Sequence, residues 1–352
     1  MQALCHCLWS HNMTEWKMLQ EVCDVSYRLV FPIILLMAMA TNMINVAVLV
    51  RPHPPGRSGA ATTTTLAYLL WLALSHCAIC FTVIVSLSVR RRMGLTYAWA
   101  FYFAHVEEPL YNVFNCSCAY IILGVSTDRY QAVCRPHKYS TTQAYHRMVG
   151  RVAVAYALPV FMYLPSCFSQ APQYSDHHKG WLVAQGAIFH THAWRIWSVS
   201  LEVLHRILPS ILLVILNLQI LLAVLRLKWS NVLVHRRLVS SVSNREQQII
   251  YLLLALTLAF LVTNLPATCL KLVYLVQEKH CHTNVILEVG RTIANCIEMA
   301  GVCCDFFLYF LMNPQYRQSL YSLVLCVRCG CCTSFVTRRP LQNPPDQSPT
   351  HS

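Results

Sequence analysis

Seven stretches of this chain are apolar over 20 residues or more: roughly 27–50, 61–89, 104–130, 148–169, 196–225, 248–276 and 285–312. A helix needs about 20 such residues to cross ~30 Å of hydrocarbon. The first, fifth and sixth are unambiguous. The third carries Asn112, Asn115, Ser117, Ser126 and Thr127, and the seventh Asn295, Glu298 and Asp305. Polar groups at membrane depth are costly, so these two helices should turn them toward the bundle interior. The pattern predicts an all-α membrane protein, a seven-transmembrane helix bundle. Residues 1–26 form an N-tail, 27–312 the bundle, 313–332 an amphipathic helix with a cysteine-rich end, and 333–352 a disordered tail.

Composition agrees. Of 352 residues, 56% are hydrophobic and 12% charged, too few charges to clothe a soluble fold of this length. The net charge of +13 does not point to nucleic acid, because the basic residues lie between apolar runs, as at membrane surfaces. With the N-terminus outside, inner loops and ends carry 16 of the 27 Lys and Arg and outer ones eight, Arg90, Arg91 and Arg92 being the exception. Asn12-Met13-Thr14 is a glycosylation sequon that also wants an outer N-tail. The first 12 residues lack the charged start and small-residue cleavage site of a signal peptide. The 18 Cys are scattered, with no paired metal-ligand spacing, so neither metal nor cofactor is expected.

The inner end of the third span reads Ser126-Thr127-Asp128-Arg129-Tyr130-Gln131-Ala132-Val133-Cys134-Arg135-Pro136. This resembles the Asp-Arg-Tyr motif of rhodopsin-like (class A) G-protein-coupled receptors. Thr41-Asn42 looks like that family's first-helix signature, Pro209 its fifth-helix proline, Phe260 and Pro266 its sixth-helix spacing, and Asn313-Pro314-Gln315 after Tyr309 the start of its eighth helix. A narrower likeness, to invertebrate FMRFamide- and myosuppressin-type neuropeptide receptors, rests on TNMINVAVLVR, EEPLYNVFNCSCAYIILGVSTDRY, YLPSCF and DFFLY.

The resemblance implies a plasma-membrane receptor without enzymatic activity, which signals through heterotrimeric G proteins. Asp128, Arg129, Tyr130, Glu246, Phe260, Pro266 and Tyr309 would form its activation switch. Arg129 would pair at rest with Glu246, unless Glu246 is a solvated loop charge. Asn42, His76 and Asp305 fall at the mid-membrane polar site, where the family usually holds sodium between an Asp and an Asn. Here the acid has changed helix, and a His76–Asp305 pair would weaken sodium regulation; the alternative is that Asp305 anchors its helix through waters. Glu107, Glu108, Tyr111, Glu202, Asn295 and Glu298 would border the ligand cavity. Converging carboxylates favour a basic, amidated peptide, unless they pair internally with Arg206, Lys271 or Arg291. Phe101, Phe103, Phe114, Trp194 and Trp197 would serve as aromatic walls or as packing. Cys326, Cys329, Cys331 and Cys332 fit palmitoylation beside an amphipathic helix. Thr337, Ser348, Thr350 and Ser352 are candidate phosphorylation sites for arrestin.

Three departures from the family stand out. Asn264 replaces the sixth-helix tryptophan, the fourth helix lacks its tryptophan, and Ala104 stands where the third helix should carry the cysteine of an outer-loop disulfide. Cys23 and Cys281, both outside, are a candidate substitute bridge. A transporter or channel is the runner-up class, but the chain shows no paired internal repeats. A divergent receptor for a non-peptide ligand is the other alternative.

Overall fold

The computed structural model describes residues 13–51, 60–90, 96–136, 139–140, 143–177, 179–234, 244–277 and 285–328. Eleven α-helices run through them: α1 (Met13–Val25), α2 (Phe31–Leu49), α3 (Ala60–Arg90), α4 (Tyr97–His105), α5 (Glu107–Cys134), α6 (Ala144–Tyr163), α7 (His192–Glu202), α8 (Leu208–Val234), α9 (Asn244–Gln277), α10 (Val285–Met312) and α11 (Pro314–Arg328). Among the described residues, seven helical segments are long and apolar enough to cross a bilayer: Gln20–Leu49, Thr63–Val89, Tyr97–Cys134, Ala144–Phe168, His192–Arg226, Gln247–Val273 and Ile286–Met312. These coincide with the seven apolar stretches to within a few residues, except that the first and third start seven residues further out.

Proline chemistry sets the breaks inside the spans. Proline has no N–H, so the carbonyl four residues before it loses its helical partner. Pro32 follows a π-turn at Ser26–Val30, and Pro209 follows another at Val203–Ile207. In each, the bond slips by one residue: Phe31 N–H donates to the Ser26 carbonyl, and Leu208 N–H to that of Val203. Pro109 follows the break between α4 and α5 at Val106. The second π-turn matters most, because it leaves both His205 and Arg206 buried. An extra residue in a turn rotates the side chains that follow, and such bulges concentrate at functional sites.

A large apolar core joins α2, α3, α5, α6, α8, α9 and α10 through residues such as Leu35, Leu69, Ile121, Met148, Leu213, Leu252 and Met299. On the outside, Leu36, Phe81, Phe161, Ile211, Leu258 and Leu311 are exposed. Helices apolar on both sides suit a lipid surround. Buried asparagines hold helices together. Asn42 donates to the Val302 carbonyl of α10 at 3.0 Å, and Asn45 accepts from the Tyr316 hydroxyl of α11 at 2.6 Å. Burial pushes the Tyr316 phenol up, which keeps it a donor.

The loop after α6 folds into an antiparallel hairpin, β1 (Gln170–Ser175) and β2 (Gly180–Gln185), paired from Gln170–Gln185 to Ser175–Gly180. No sequence signal predicted it. Ala104 is buried beneath the outer end of α4, and aromatic contacts link the hairpin to that end. The Trp181 ring lies 4.9 Å from that of Tyr97 and 5.6 Å from that of Tyr174. Gln170 donates to Glu108 at 2.7 Å, and His105 Nδ1 lies 2.5 Å from the Cys167 carbonyl.

Candidate functional site

Among the described residues, two outer cavities open between the helices. The larger, about 720 Å³, is lined by Glu108, Asn112, Tyr163, Trp194, Glu202 and Lys271, with the residues after the hairpin above it. The second, about 500 Å³, is bordered by Tyr111, Arg206, Lys271, Arg291, Asn295 and Glu298. Asn112 and Lys271 border both.

Between the cavities lies a lattice of opposite charges. Arg206 donates to Glu298 at 3.0 Å, with its Nε 3.8 Å from Glu202. Lys271 pairs with the other oxygen of Glu202. Asn115 donates to Glu298 at 2.8 Å, and Asn295 donates to the Tyr27 hydroxyl at 3.0 Å. The lattice ties α5, α7, the π-turn, α9 and α10 together. Two of the four acids expected to await a ligand are thus paired within the chain, with cations named as the alternative: Glu202 with Lys271 and Glu298 with Arg206; the third named cation, Arg291, pairs with Glu288 at 2.7 Å instead. The reason is spatial. The π-turn aims Arg206 inward, and a buried carboxylate without a partner is too costly. Side-chain exposure separates the partners: 2% for Glu202 and 46% for Lys271.

Of the expected aromatic walls, Trp194 lines the larger cavity and Tyr111 the smaller. Phe103 is buried in a ring cluster with Trp99 and Tyr102, Phe114 packs on Tyr156, and Phe101 packs on His105. Trp197 lies on an exposed face. Glu107 is half-buried and Glu108 exposed at the start of α5. Cys23 carries a free thiol 3.6 Å from the Thr292 hydroxyl. Cys281 lies outside the described residues, as do Asn12, Cys329, Cys331, Cys332 and the tail sites; Cys326 falls in α11.

At mid-membrane, His76 Nδ1 stands 3.3 Å from Asp305 Oδ2, both side chains about one-tenth exposed. The pair is close enough to attract, though its geometry is too bent for a hydrogen bond. A void of about 40 Å³ beside it is bordered by Asn115, Cys118, Asn264 and Glu298, room for a water or two. His76 faces Asp305 here with a nitrogen, a donor less suited to sodium than oxygen.

At the inner end, Asp128 is fully buried. Arg151 of α6 donates to it at 3.0 Å and Tyr139 at 3.3 Å, while Arg129 Nη2 lies 3.5 Å away. Burial first, and the Asp128 charge second, hold the Tyr139 phenol above its ordinary range, so it stays a donor. Arg129 also reaches the Thr64 hydroxyl at 3.4 Å. Glu246 lies on α9, but its side chain is outside the described residues. Tyr130 is half-buried with Arg135 over its ring, Tyr309 is buried against Tyr316, Phe260 borders the mid-membrane void, and Pro266 lies inside α9. The gap among Gln248, Ile249, Leu252, Met312, Asn313 and Gln315 is about 20 Å³. Sequence reasoning missed Arg151, Tyr139, Asn45 and Tyr316. Nothing in the spacing links α6 to Asp128.

The family description "7 transmembrane receptor (rhodopsin family)" matches residues 56–309. The chain belongs to the rhodopsin family of seven-transmembrane receptors. Two relatives come from Caenorhabditis elegans. The probable G-protein coupled receptor B0563.6 is 23% identical over 349 residues, covering 96% of this chain and 77% of that protein. The probable G-protein coupled receptor AH9.1 is 23% identical over 327 residues, covering 86% and 76%. The chain is therefore a multi-pass plasma-membrane receptor of a family that takes extracellular ligands and G-protein partners.

Proposed function

We propose that this receptor is activated by an extracellular peptide with a basic, amidated end of the RF-amide type and couples to heterotrimeric G proteins, with its N-terminus outside. The carrying observation is the pairing of a buried acid, Glu202, with a half-exposed lysine at the floor of a cleft of about 720 Å³. That volume lies within the usual range for ligand pockets. Lys271 can leave into water, while Glu202 stays. A ligand guanidinium binds a carboxylate with two donors in a fixed fork, which an ammonium cannot match. Exchange of one cation for the other releases α9 from α7. The far end of α9 borders the closed inner gap beside Gln248 and Leu252. Movement there would open a groove for a G protein and free Arg129 from Asp128 to meet it. Arrestin would follow phosphorylation at Thr337, Ser348, Thr350 or Ser352, and palmitoylation at Cys326 and the cysteines after it would anchor the end of α11.

The test is a screen of amidated peptides on cells that express the receptor with a promiscuous G protein. Peptides with a penultimate Arg should signal, and their Arg→Ala forms should lose potency by about tenfold or more, the loss of a charge-assisted contact. Glu202→Gln should lose the same discrimination. Equal potency for Arg and Ala peptides would refute a basic ligand.

A further inference from the structure

A third surface cavity, of about 480 Å³, lies between α5 and α6, away from both outer cavities. Tyr120, Leu123, Thr127, Val154 and Ala155 line it, and Arg147 and Arg151 stand at its inner end. Val154 is 59% exposed, so the groove opens sideways, toward the bilayer. Two glycines shape it. A side chain added at Gly150 would meet nothing within 4 Å and would project into the space, while Gly124 lies in the groove wall over the Tyr68 ring.

We infer that this groove binds an anionic phospholipid of the cytoplasmic leaflet, with an acyl chain along Leu123 and Val154 and its phosphate at Arg147 and Arg151. The two arginines are one turn apart on α6, about 6 Å by helical rise, which suits a single phosphate. Each is fixed from behind. Arg147 donates through Nη2 to the Ser140 carbonyl at 2.9 Å and lies 4.9 Å over the Tyr139 ring. Arg151 donates to Asp128 at 3.0 Å and to Gln131 at 2.9 Å. A guanidinium has five donors, so both keep N–H groups for a ligand. Two arginines against one carboxylate, Asp128, leave a net positive charge at headgroup depth. Basic pockets between helices on the cytoplasmic side attract anionic headgroups for this reason. The occupant is a lipid rather than a soluble phosphate, because the apolar groove is continuous with the arginines. Arg151 also neutralises Asp128, so a headgroup there draws on the cation that steadies the Arg129 site.

Native mass spectrometry of the full-length receptor tests this. The receptor would be released from vesicles of phosphatidylcholine with one-tenth phosphatidylserine or phosphatidylinositol phosphate. Wild type should retain an anionic lipid selectively. Arg147→Gln should reduce its occupancy about five-fold, the weight of one cation at an anionic surface. Gly150→Leu should reduce it while keeping both arginines, because it fills the groove. Unchanged melting in zwitterionic detergent would show that both variants fold; if one fails to fold, the other still decides. Millimolar glycerophosphoserine should not displace the lipid. Equal retention of phosphatidylcholine, full displacement by the soluble headgroup, or undiminished anionic lipid in a folded variant would each overturn the inference.

Discussion

Arg206, from the π-turn ahead of Pro209, donates to Glu298 of α10 at 3.0 Å, and its Nε lies 3.8 Å from Glu202. A single cation thus faces two buried acids. Its removal would leave Glu298 with only the neutral Asn115 in a low-dielectric site, while Glu202 would keep Lys271. Arg206→Met should therefore cost on the order of 3–5 kcal/mol, the usual penalty for breaking a buried ion pair. Melting of the purified receptor and surface expression would show it. The double variant Arg206→Met/Glu298→Gln should recover part of the loss. No change in melting for the single variant would mean that the lattice is not formed.

His76 and Asp305 make a second prediction. Each single variant, His76→Ala or Asp305→Asn, leaves its partner buried alone, and the double variant leaves neither. A double-mutant cycle on melting stability should give a coupling of about 1–3 kcal/mol. Strict additivity would remove the pair. With an imidazole nitrogen facing Asp305, 100–200 mM sodium should shift agonist affinity less than about two-fold, since nitrogen suits this ion less than oxygen.

The hairpin supplies a third. Trp181 stands between Tyr97 and Tyr174, and such ring contacts contribute about 0.5–1.5 kcal/mol each beyond burial. Trp181→Ala should expose residues 170–185 to limited proteolysis. Mild reductant should not, because the contacts described between hairpin and helix are not covalent. Cleavage triggered by reductant alone would point to a disulfide instead.

Gly301 of α10 lies against Thr263 of α9, and a Cβ added there would come within 2.7 Å of the Thr263 hydroxyl and 2.9 Å of its Cβ. Gly301→Ala must push the two helices apart, at about 1–3 kcal/mol for an overpacked contact. Thr263→Gly should restore stability in the Gly301→Ala background, whereas Thr263→Ala, which keeps the Cβ, should restore it only in part. Thermal melting of the three variants separates these outcomes.

How much the chain reveals before folding depends on the kind of signal. The spans are legible because length and apolarity decide them, and lipid imposes the same demand everywhere. The hairpin was not, since QAPQYS carries Pro172 and neither it nor GWLVAQ shows the strict alternation that marks short strands. His76 and Asp305 could be paired by reasoning because each is a polar group costly to bury without a partner. Glu202 and Glu298 were read as ligand contacts with internal pairing as the alternative, and spacing could not place Arg206 between them because it assumes a regular helix. The π-turn before Pro209 breaks that assumption and carries Arg206 into the bundle. At the inner end, Asp128 meets Arg151 from another helix, a contact that no local pattern encodes.

Arg129, steadied by Asp128, would relay an outer event to a G protein. Nucleotide exchange on a purified heterotrimeric G protein by the reconstituted receptor tests it without any ligand. Asp128→Asn removes the charge that steadies Arg129 and should raise exchange above wild type, while Arg129→Ala, alone or added to it, should return exchange to the G protein's own rate. Identical rates for wild type and all three variants, at equal receptor density, would contradict the account.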